Sequence, residues 1–336
     1  DSTDLSGLPD YVKDMGASTA AELGKQGWVF DLSYPSYSAF MQFSDRSDLR
    51  KKCYMAYNSK AYGGEYDNSE VCIQIADLRL KVANLLGFKT YADYALVERM
   101  AKNVTAVHKL LDDLMKPSLP KAKEELAEVL SYAQSCGYTE KALQPWDFSY
   151  WSEKYKASKY DLSDELLKPY FQLDSCIDAV FGLATRLYGL QFTPRPDIPG
   201  YNKDVKVYDV SDADGKHLAL FYADFFPRAT KRGGAWMTSF REQSIQNGVE
   251  YRPFVSIVTN FSKPTATAPS LLTHYELTTF LHEFGHSIHG MVAQGRYPSL
   301  TGTNVARDFV ELPSQIMENW GYEPEYLNTF ARHYQT

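Results

Sequence analysis

The 336-residue sequence predicts a mainly α protein, a multi-helix body with one small β-sheet. Up to about residue 195, segments such as "NSEVCIQIADLRLKVANLLGF" place apolar residues three and four positions apart, which is the period of an amphipathic helix. Between residues 205 and 261, three shorter runs rich in Val, Tyr and Phe have the composition of strands. The helical period returns at about Leu271 and continues to Thr336, so the sheet is expected just before a helical, histidine-rich segment.

The helices of the first half have recognisable ends. In "NSEVCIQIADLRLKVANLLGF" an apolar stripe recurs with the helical period and Gly87 can close the helix. "SDRSDLRKKCYMAYNSKAY" and "TYADYALVERMAKN" follow the same pattern, and "SLPKAKEELAEVLSYAQSCG" is expected to form a helix that starts after Pro120. "SDELLKPYFQLDSCIDAVFGLATRLYGL" is expected to break near Pro169, because proline has no N–H to donate.

The strand candidates follow a proline- and glycine-rich connection, "PRPDIPGYNKD". "VKVYDV" and "HLALFYADF" flank Asp214 and Gly215, a pair typical of a hairpin turn, and "FVSIVTNF" is the third candidate. The connection suggests two regions, a helical region of residues 1–195 and a second region of residues 196–336 that contains the sheet and the histidine-rich helix.

Composition excludes several classes of function. A net charge of −7 argues against a nucleic-acid partner, since binding phosphates requires a basic face. No apolar run approaches the roughly 18 residues of a membrane-spanning helix, so we expect no membrane partner. Four widely spaced cysteines predict free thiols in a reducing compartment, hence a cytoplasmic location, with the periplasm as the alternative. The sequence gives no indication of the oligomeric state.

The most informative stretch is "FLHEFGHSIHGM", residues 280–291, which contains three of the seven histidines. His282 and His286 are four residues apart and therefore project from one face of a helix, at the spacing with which two imidazoles can bind one Zn²⁺. Glu283 is rotated by about 100° from His282, where its carboxylate can reach a zinc-bound water and act as a base. This stretch predicts a catalytic zinc helix.

A catalytic zinc needs a third protein ligand. His289 is one candidate, but it lies nearly two turns from His282, so we expect it to support a ligand or to pack. The better candidates are in "ARDFVELPSQIMENW", where a polar stripe at helical spacing consists of Asp308, Glu311, Gln315 and Glu318. Burying such a stripe is costly unless a cation neutralises it. The alternative is a solvated helix face, and the histidine motif favours a ligand helix.

These motifs resemble a known family. "HEFGHSIHG", "TGTN" and "RDFVELPSQIMENW" resemble the signature of the thimet oligopeptidase family of zinc peptidases, and "LLGFKTYADY", "ALQPWDFSYWSEKY" and "RGGAWM" are similar to its bacterial peptidyl-dipeptidases. The resemblance implies one zinc per chain, bound by His282, His286 and Glu311, with Glu283 as the base. It also implies a helical body split by a deep channel, with residues 1–195 as one wall, that admits short unstructured peptides.

Other residues of the same segment are expected to support the ligands. Asp308 and Gln315 lie one turn on either side of Glu311 and are expected to orient a ligand; an ordinary solvated role is the alternative. Pro313 is expected to bend the ligand helix.

The segment "KRGGAWM" is expected to contact substrate through Gly233, Gly234 and Ala235, because glycines let another backbone approach. A glycine-rich turn into a strand is the alternative.

The expected activity is zinc-dependent release of dipeptides from the C-terminus of short peptides. Two alternatives stay open: an endo-acting oligopeptidase of the same family, and an inactive module that binds only metal or peptide. Chains of the family are about twice as long, so this one resembles an internal fragment without the family's N-terminal helices and C-terminal segment. On its own it is expected to be weakly active or inactive, because it lacks the expected oxyanion stabilisers.

Overall fold

The computed structural model describes residues 2–161, 164–265 and 267–336, and over these ranges the protein is mainly α, as predicted. The α-helices are α1 (Asp10–Glu22), α2 (Tyr34–Phe43), α3 (Ser47–Asn58), α4 (Ser69–Leu85), α5 (Tyr91–Leu96), α6 (Val104–Ser135), α7 (Phe148–Tyr160), α8 (Asp164–Leu167), α9 (Leu173–Tyr188), α10 (His274–Met291), α11 (Glu311–Glu318) and α12 (Pro324–Phe330). The strands are β1 (Gln191–Pro194), β2 (Lys206–Ser211), β3 (His217–Asp224), β4 (Trp236–Arg241), β5 (Ser244–Gln246), β6 (Val249–Tyr251) and β7 (Phe254–Val258).

The chain divides into two compact units. The first contains the described residues of 1–9 and 37–161, and therefore α3 to α7 and most of α2. The second contains those of 10–36 and 162–336, and therefore all the strands and the histidine-rich helix. The expected role of residues 1–195 as one wall of a channel stays a prediction.

A buried ion pair lies within the first unit. The guanidinium of Arg50 on α3 pairs with the carboxylate of Asp147, and both side chains are almost fully buried. Arg50 Nε also donates to the Trp146 carbonyl oxygen at 3.1 Å, and its guanidinium lies 4.1 Å from the centre of the Tyr150 ring. Because each partner would be an uncompensated buried charge without the other, this contact ties α3 to the start of α7.

The second unit contains a five-stranded sheet of order β1-β2-β3-β7-β4. β3 and β7 are parallel, and the other neighbours are antiparallel. The predicted hairpin between β2 and β3 is confirmed, with Gly215 at a φ of 82° that only glycine adopts without strain. A second hairpin, β5 with β6, was not predicted. β4 is an edge strand, so among the described residues one of its sides has no strand partner.

Helix α10 packs its apolar face onto this sheet. Phe284 has its ring centre 5.8 Å from that of Phe221 on β3 and 5.7 Å from those of Phe181 on α9 and Phe192 on β1. Phe280, one turn earlier, is also fully buried. Burial of large aromatic side chains stabilises the fold strongly, so this cluster holds α10 against the sheet.

Two of the predicted helix boundaries in the first unit are wrong. α6 does not start after Pro120 but runs unbroken from Val104, with Pro117 and Pro120 inside it. A proline removes one backbone hydrogen bond and costs about 3 kcal/mol, which a helix of 32 residues tolerates because its other hydrogen bonds remain. In "TYADYALVERMAKN" only Tyr91–Leu96 is α-helical, and the remainder forms turns. The expected break near Pro169 is confirmed by a 3-10 turn at Lys168–Tyr170, although the predicted start of that region, Ser163, lies outside the described residues.

Two further observations concern the cysteines and the apolar helices. All four cysteines are free thiols, as predicted. No helix among the described residues has both the length and the apolar character to cross a membrane.

Candidate metal centre

The histidine-rich helix begins at a well-formed cap. Thr273 Oγ accepts a hydrogen bond from the Glu276 backbone N–H at 3.1 Å, and Glu276 accepts one from the Thr273 N–H at 2.8 Å. This reciprocal pair satisfies two backbone donors that would otherwise lack partners at the helix start. It sets where α10 begins, and therefore which residues face the sheet and which face away.

On the face directed away from the sheet, α10 presents its two motif histidines to α11. His282 and His286 lie one turn apart, with ring centres 5.0 Å from each other. Both direct Nε2 towards one oxygen of Glu311, the first residue of α11, at 3.3 Å for His282 and 3.1 Å for His286. The structure thus brings together one ligand atom from each of the three residues predicted to bind zinc.

The spacing of these atoms fits a metal ion. A tetrahedral zinc with bonds of about 2.0–2.1 Å separates its ligand atoms by about 3.3 Å. The two nitrogen-to-oxygen distances in the structure, 3.3 and 3.1 Å, are close to this value. Two imidazole nitrogens and a carboxylate oxygen are a donor set that zinc accepts in catalytic sites. Glu311 is about half exposed, so this group of ligand atoms lies at a surface that solvent reaches.

A glycine allows α11 to come this close. A methyl group on Gly285, between the two histidines in sequence, would lie 2.5 Å from the Pro313 carbonyl oxygen and 2.6 Å from the Ser314 Cα. Helix α10 therefore meets the first turn of α11 with its backbone and not with a side chain. This close approach places Glu311 within reach of both imidazoles.

The helix predicted for "ARDFVELPSQIMENW" is shorter than expected. It begins at Glu311, and residues 307–310 form a turn. Pro313 is therefore in the first helical turn, where its missing N–H would have no partner within the helix. The expectation that Pro313 bends the helix from inside is wrong. Ser314 Oγ instead donates to Glu311 Oε2 at 2.7 Å and helps to hold the carboxylate in place.

Glu318, at the end of α11, contacts the first histidine. The Nδ1 of His282 lies 2.6 Å from Glu318 Oε1, so in the neutral ring that donates from Nδ1 to this carboxylate, Nε2 keeps its lone pair and points at Glu311. A carboxylate in this position fixes the tautomer and the orientation of a ligand histidine. Sequence reasoning included Glu318 in the polar stripe but assigned the orienting role to Asp308 and Gln315.

The other residues expected to support the ligands are Asp308, Gln315 and His289. Asp308 is exposed in the turn before α11, and Gln315 is exposed on α11; an orienting role for either stays a prediction. His289 follows His286 by one turn and packs near Phe309, with ring centres 6.4 Å apart. Burial lowers the pKa of His289, which favours a neutral ring suited to packing. His289 lies outside the group of converging ligand atoms found among the described residues.

Glu283 lies buried beside the histidines. Burial raises its pKa to about 7, the Glu311 charge adds to this effect, and His282 and a backbone hydrogen bond from Met237 oppose it. A bound cation would lower this pKa again by stabilising the carboxylate. Because Met237 belongs to the edge strand β4, its contact with Glu283 brings the predicted base next to that edge.

The segment "KRGGAWM" leads directly into β4. Gly233 and Gly234 are exposed, and nothing described lies within 4 Å of where a side chain would begin on either, so their backbone is open to approach. Ala235 is partly buried just before the strand. Asn260 Nδ2 donates to the Gly234 carbonyl oxygen at 2.6 Å and to that of Arg232 at 3.0 Å. Sequence reasoning missed this anchor.

A buried charge network holds the start of the same loop. Asp224, at the end of β3, accepts hydrogen bonds from Lys231 Nζ at 2.9 Å and from Arg228 at 2.9 and 3.0 Å. Lys231 also donates to the Phe226 carbonyl oxygen at 2.8 Å. The side chains of Asp224 and Lys231 are almost completely buried. A spacing of seven residues between a lysine and an aspartate gave no signal of this pairing in the sequence.

Comparison with known proteins gives a consistent result. The model of peptidase family M3 matches residues 40–336. The chain is 37% identical over 342 residues to the dipeptidyl carboxypeptidase of Escherichia coli K12, an alignment that covers 100% of this chain and 49% of the relative. It is also 37% identical over 344 residues to oligopeptidase A of the same organism and over 351 residues to a probable cytosolic oligopeptidase A of Arabidopsis thaliana, covering 100% of this chain and 50% of each relative. The chain thus spans about half the length of these relatives.

Proposed function

Since the chain belongs to peptidase family M3, we propose that it forms the zinc-binding part of a peptidase that hydrolyses short, unstructured peptides. The observation that supports this most strongly is the convergence of His282 Nε2 and His286 Nε2 on one oxygen of Glu311, at the separations that a tetrahedral zinc requires. Zinc, when bound, polarises a carbonyl and lowers the pKa of a water molecule towards neutrality.

The proposed roles follow from position. His282, His286 and Glu311 would hold one zinc ion per chain, and Glu318 would keep His282 in the tautomer that binds metal. Glu283 would accept a proton from the attacking water and deliver it to the leaving amine nitrogen. Its buried position next to His282 and beside the proposed ligands favours this role.

The edge strand offers a place for the peptide. A substrate in extended conformation can pair its main chain with the free side of an edge strand. β4 is such a strand, its residue Met237 contacts Glu283, and the open backbone of Gly233 and Gly234 precedes it. Together with Ala235, these residues would align the peptide so that its scissile bond lies near the metal centre.

We propose release of C-terminal dipeptides as the mode of cleavage, with internal cleavage as the second candidate. Relatives with the names dipeptidyl carboxypeptidase and oligopeptidase A match this chain at the same identity, which is why both modes are retained. Mass spectrometry of the products from one decapeptide distinguishes them: stepwise loss of two residues from the C-terminus supports the first, and internal fragments support the second.

The decisive experiment is metal analysis of the purified chain. About one zinc per chain is expected after loading and removal of excess metal. Glu311→Ala should lose most of it, and Glu325→Ala, which changes an exposed glutamate on α12, should keep it. Zinc content unaffected by Glu311→Ala would contradict the proposed ligand set. One zinc per chain with peptide binding but no hydrolysis would instead identify an inactive binding module.

The proposed location is the cytoplasm. The free thiols of the four cysteines suit a reducing compartment, and the Arabidopsis thaliana relative named above is called cytosolic.

A further inference from the structure

The segment "TGTN", residues 301–304, contributes no ligand to the metal centre but packs between the end of α10 and the end of β4. Thr301 is buried, and its Oγ donates to the Gln243 carbonyl oxygen at 2.9 Å. Gly302 has a φ of 56°, and a methyl group on it would lie 3.3 Å from the Gly290 Cα. Since the backbone approaches α10 this closely, the segment encloses the side chain that follows β4.

That enclosed side chain is Glu242. Its Oε2 lies 3.8 Å from the point where a side chain on Gly302 would begin. Burial raises the pKa of Glu242, and the neighbouring Ser239 hydroxyl and Asn304 amide only partly oppose this effect. No basic side chain among the described residues pairs with Glu242 or contributes to its pKa. A partly buried carboxylate without a cation is costly, so this carboxylate is suited to accept a cation from outside the chain.

Other acidic side chains around the sheet do have cationic partners. Asp224 at the end of β3 pairs with Lys231 at 2.9 Å, and Glu250 on β6 pairs with Arg252 at 2.8 Å. Glu242 lies between these two places in the chain and differs from both, because only an amide and a hydroxyl surround its carboxylate. The negative charge at the end of β4 is therefore left uncompensated where those of its neighbours are neutralised.

Glu242 and the proposed base lie along the same edge strand. Met237 of β4 contacts Glu283 through its backbone N–H, and Ser239, two residues further on, lies next to the Glu242 carboxylate. Residues two apart in a strand point to the same face, so Met237 and Ser239 share one face of β4. A peptide paired with the free side of β4 would extend from the base towards Glu242.

The length of α10 gives the distance between the two carboxylates. Gly290 follows Glu283 by seven residues, about 10 Å along the helix axis. Gly302 contacts Gly290 on one side and Glu242 on the other, so the Glu242 carboxylate lies beside this end of α10. An extended peptide covers about 10 Å with three to four residues, at about 3.3 Å for each.

We propose, on the basis of the peptidase function above, that Glu242 binds a positively charged group of the substrate three to four residues from the scissile bond, on its N-terminal side. The group is an ammonium or a guanidinium, from a lysine or arginine side chain or from the free α-amine. Release of a dipeptide leaves only two residues on the C-terminal side of the scissile bond, so a residue at this distance lies on the N-terminal side. A hydrogen bond between two charged groups is stronger than one between neutral groups, which favours such peptides over neutral ones.

The test measures peptide binding to the zinc-loaded Glu283→Gln chain, in which hydrolysis is expected to be slow. Acetylated decapeptides carry one lysine at each position in turn, and each is compared with the peptide that has uncharged norleucine there, by competition against one fluorescent peptide. Lysine should tighten binding about tenfold at the fifth or sixth residue from the C-terminus, as a hydrogen bond to a charged group typically does. Pentapeptides and hexapeptides with a free or an acetylated N-terminus show whether the α-amine can replace lysine.

Adding Glu242→Gln, which keeps the size of the side chain and its hydrogen-bonding oxygen, should abolish the preference for lysine while zinc content and circular dichroism stay the same. Glu242→Lys should reverse the preference, so that aspartate at this position binds better than lysine. Glu325→Gln on α12 is the matched control and should keep the preference.

Two results would overturn the role of Glu242 and leave the proposed peptidase function intact. One is a lysine preference that survives Glu242→Gln. The other is an equal loss of binding for lysine and norleucine peptides, which would show that Glu242 only holds residues 301–304 in place. Failure of every peptide to bind the zinc-loaded chain would instead contradict the proposed peptidase function, and the role of Glu242 with it.

Discussion

His282 Nδ1 and Glu318 Oε1 are 2.6 Å apart, although 36 residues separate them in the chain. This contact joins the start of the histidine motif to the end of α11, while Glu311 meets both histidines from the other end of the same helix. One short helix thus supplies both the predicted carboxylate ligand and the carboxylate that orients a predicted ligand. The proposed metal centre is therefore a property of the α10–α11 pair and not of the histidine motif alone.

The Glu318 contact can be tested through metal affinity. Glu318→Ala removes the acceptor that fixes the His282 tautomer, so zinc affinity should fall about 10- to 100-fold. Glu318→Gln keeps an acceptor without the charge and should fall less. Competition with a chromogenic chelator gives both constants. Glu325→Ala, which changes an exposed glutamate on α12, should bind zinc like the unmodified chain. Gln315→Ala tests the orienting role expected for Gln315, and a loss as large as that of Glu318→Ala would support that role.

A second prediction concerns the close contact of the two helices. Gly285→Ala would place a methyl group 2.5 Å from the Pro313 carbonyl oxygen, so α11 must move and take Glu311 with it. We expect a loss of about 1–3 kcal/mol in the free energy of unfolding, typical of overpacking, together with weaker zinc binding. Urea denaturation and the chelator assay measure the two effects.

Gly182 provides the control for that substitution. It lies within α9, and a methyl group there would meet no described atom within 4 Å. Gly182→Ala should therefore be neutral or should stabilise by up to about 1 kcal/mol, because alanine loses less conformational entropy in a helix. Equal losses in both variants would show that glycine at 285 has no special packing role.

A third prediction separates metal binding from proton transfer. Glu283→Gln keeps the size of the side chain but cannot accept the proton, so hydrolysis should fall about 10²- to 10⁴-fold while zinc content stays at the unmodified level. Peptide cleavage is followed by chromatography, and the zinc content of the same sample is measured by elemental analysis. Glu325→Gln is the exposed control. A Glu283→Gln variant that cleaves at the original rate would exclude Glu283 as the base.

Local periodicity explains what the sequence could predict. His282 and His286 lie on one helical face because their spacing dictates it, and the hairpin at Gly215 follows from its two turn residues. Periodicity could not decide which residue of the polar stripe orients a ligand, because Asp308, Gln315 and Glu318 all share the helical period. Only the crossing of α10 and α11 determines that Glu318 meets His282. That crossing depends on a backbone contact at Gly285, which periodicity does not record.

Other differences arise from the balance between local preference and the remainder of the fold. Pro120 favours a helix start, but the hydrogen bonds of the surrounding α6 outweigh the single lost bond. The pairing of Lys231 with Asp224 is a second difference, because no pattern in the sequence predicts it. Their burial together follows from the path of the loop between β3 and β4, which no local pattern of residues specifies.

The fourth prediction uses that pair. Lys231→Met keeps the length of the side chain but removes hydrogen bonds to Asp224 and to the Phe226 carbonyl oxygen, leaving buried acceptors with fewer donors. The free energy of unfolding should fall by about 1–3 kcal/mol, as for loss of hydrogen bonds to a charged group. Lys203→Met, at an exposed position in the same unit, should change it little.

The same variant should also affect the proposed peptide site. Because Lys231 anchors the loop that precedes Gly233, Gly234 and β4, a looser loop should raise KM for peptides more than it lowers kcat, while zinc content stays constant. An unchanged KM in a destabilised Lys231→Met variant would show that the network supports the fold alone, and that the segment before β4 does not contact substrate.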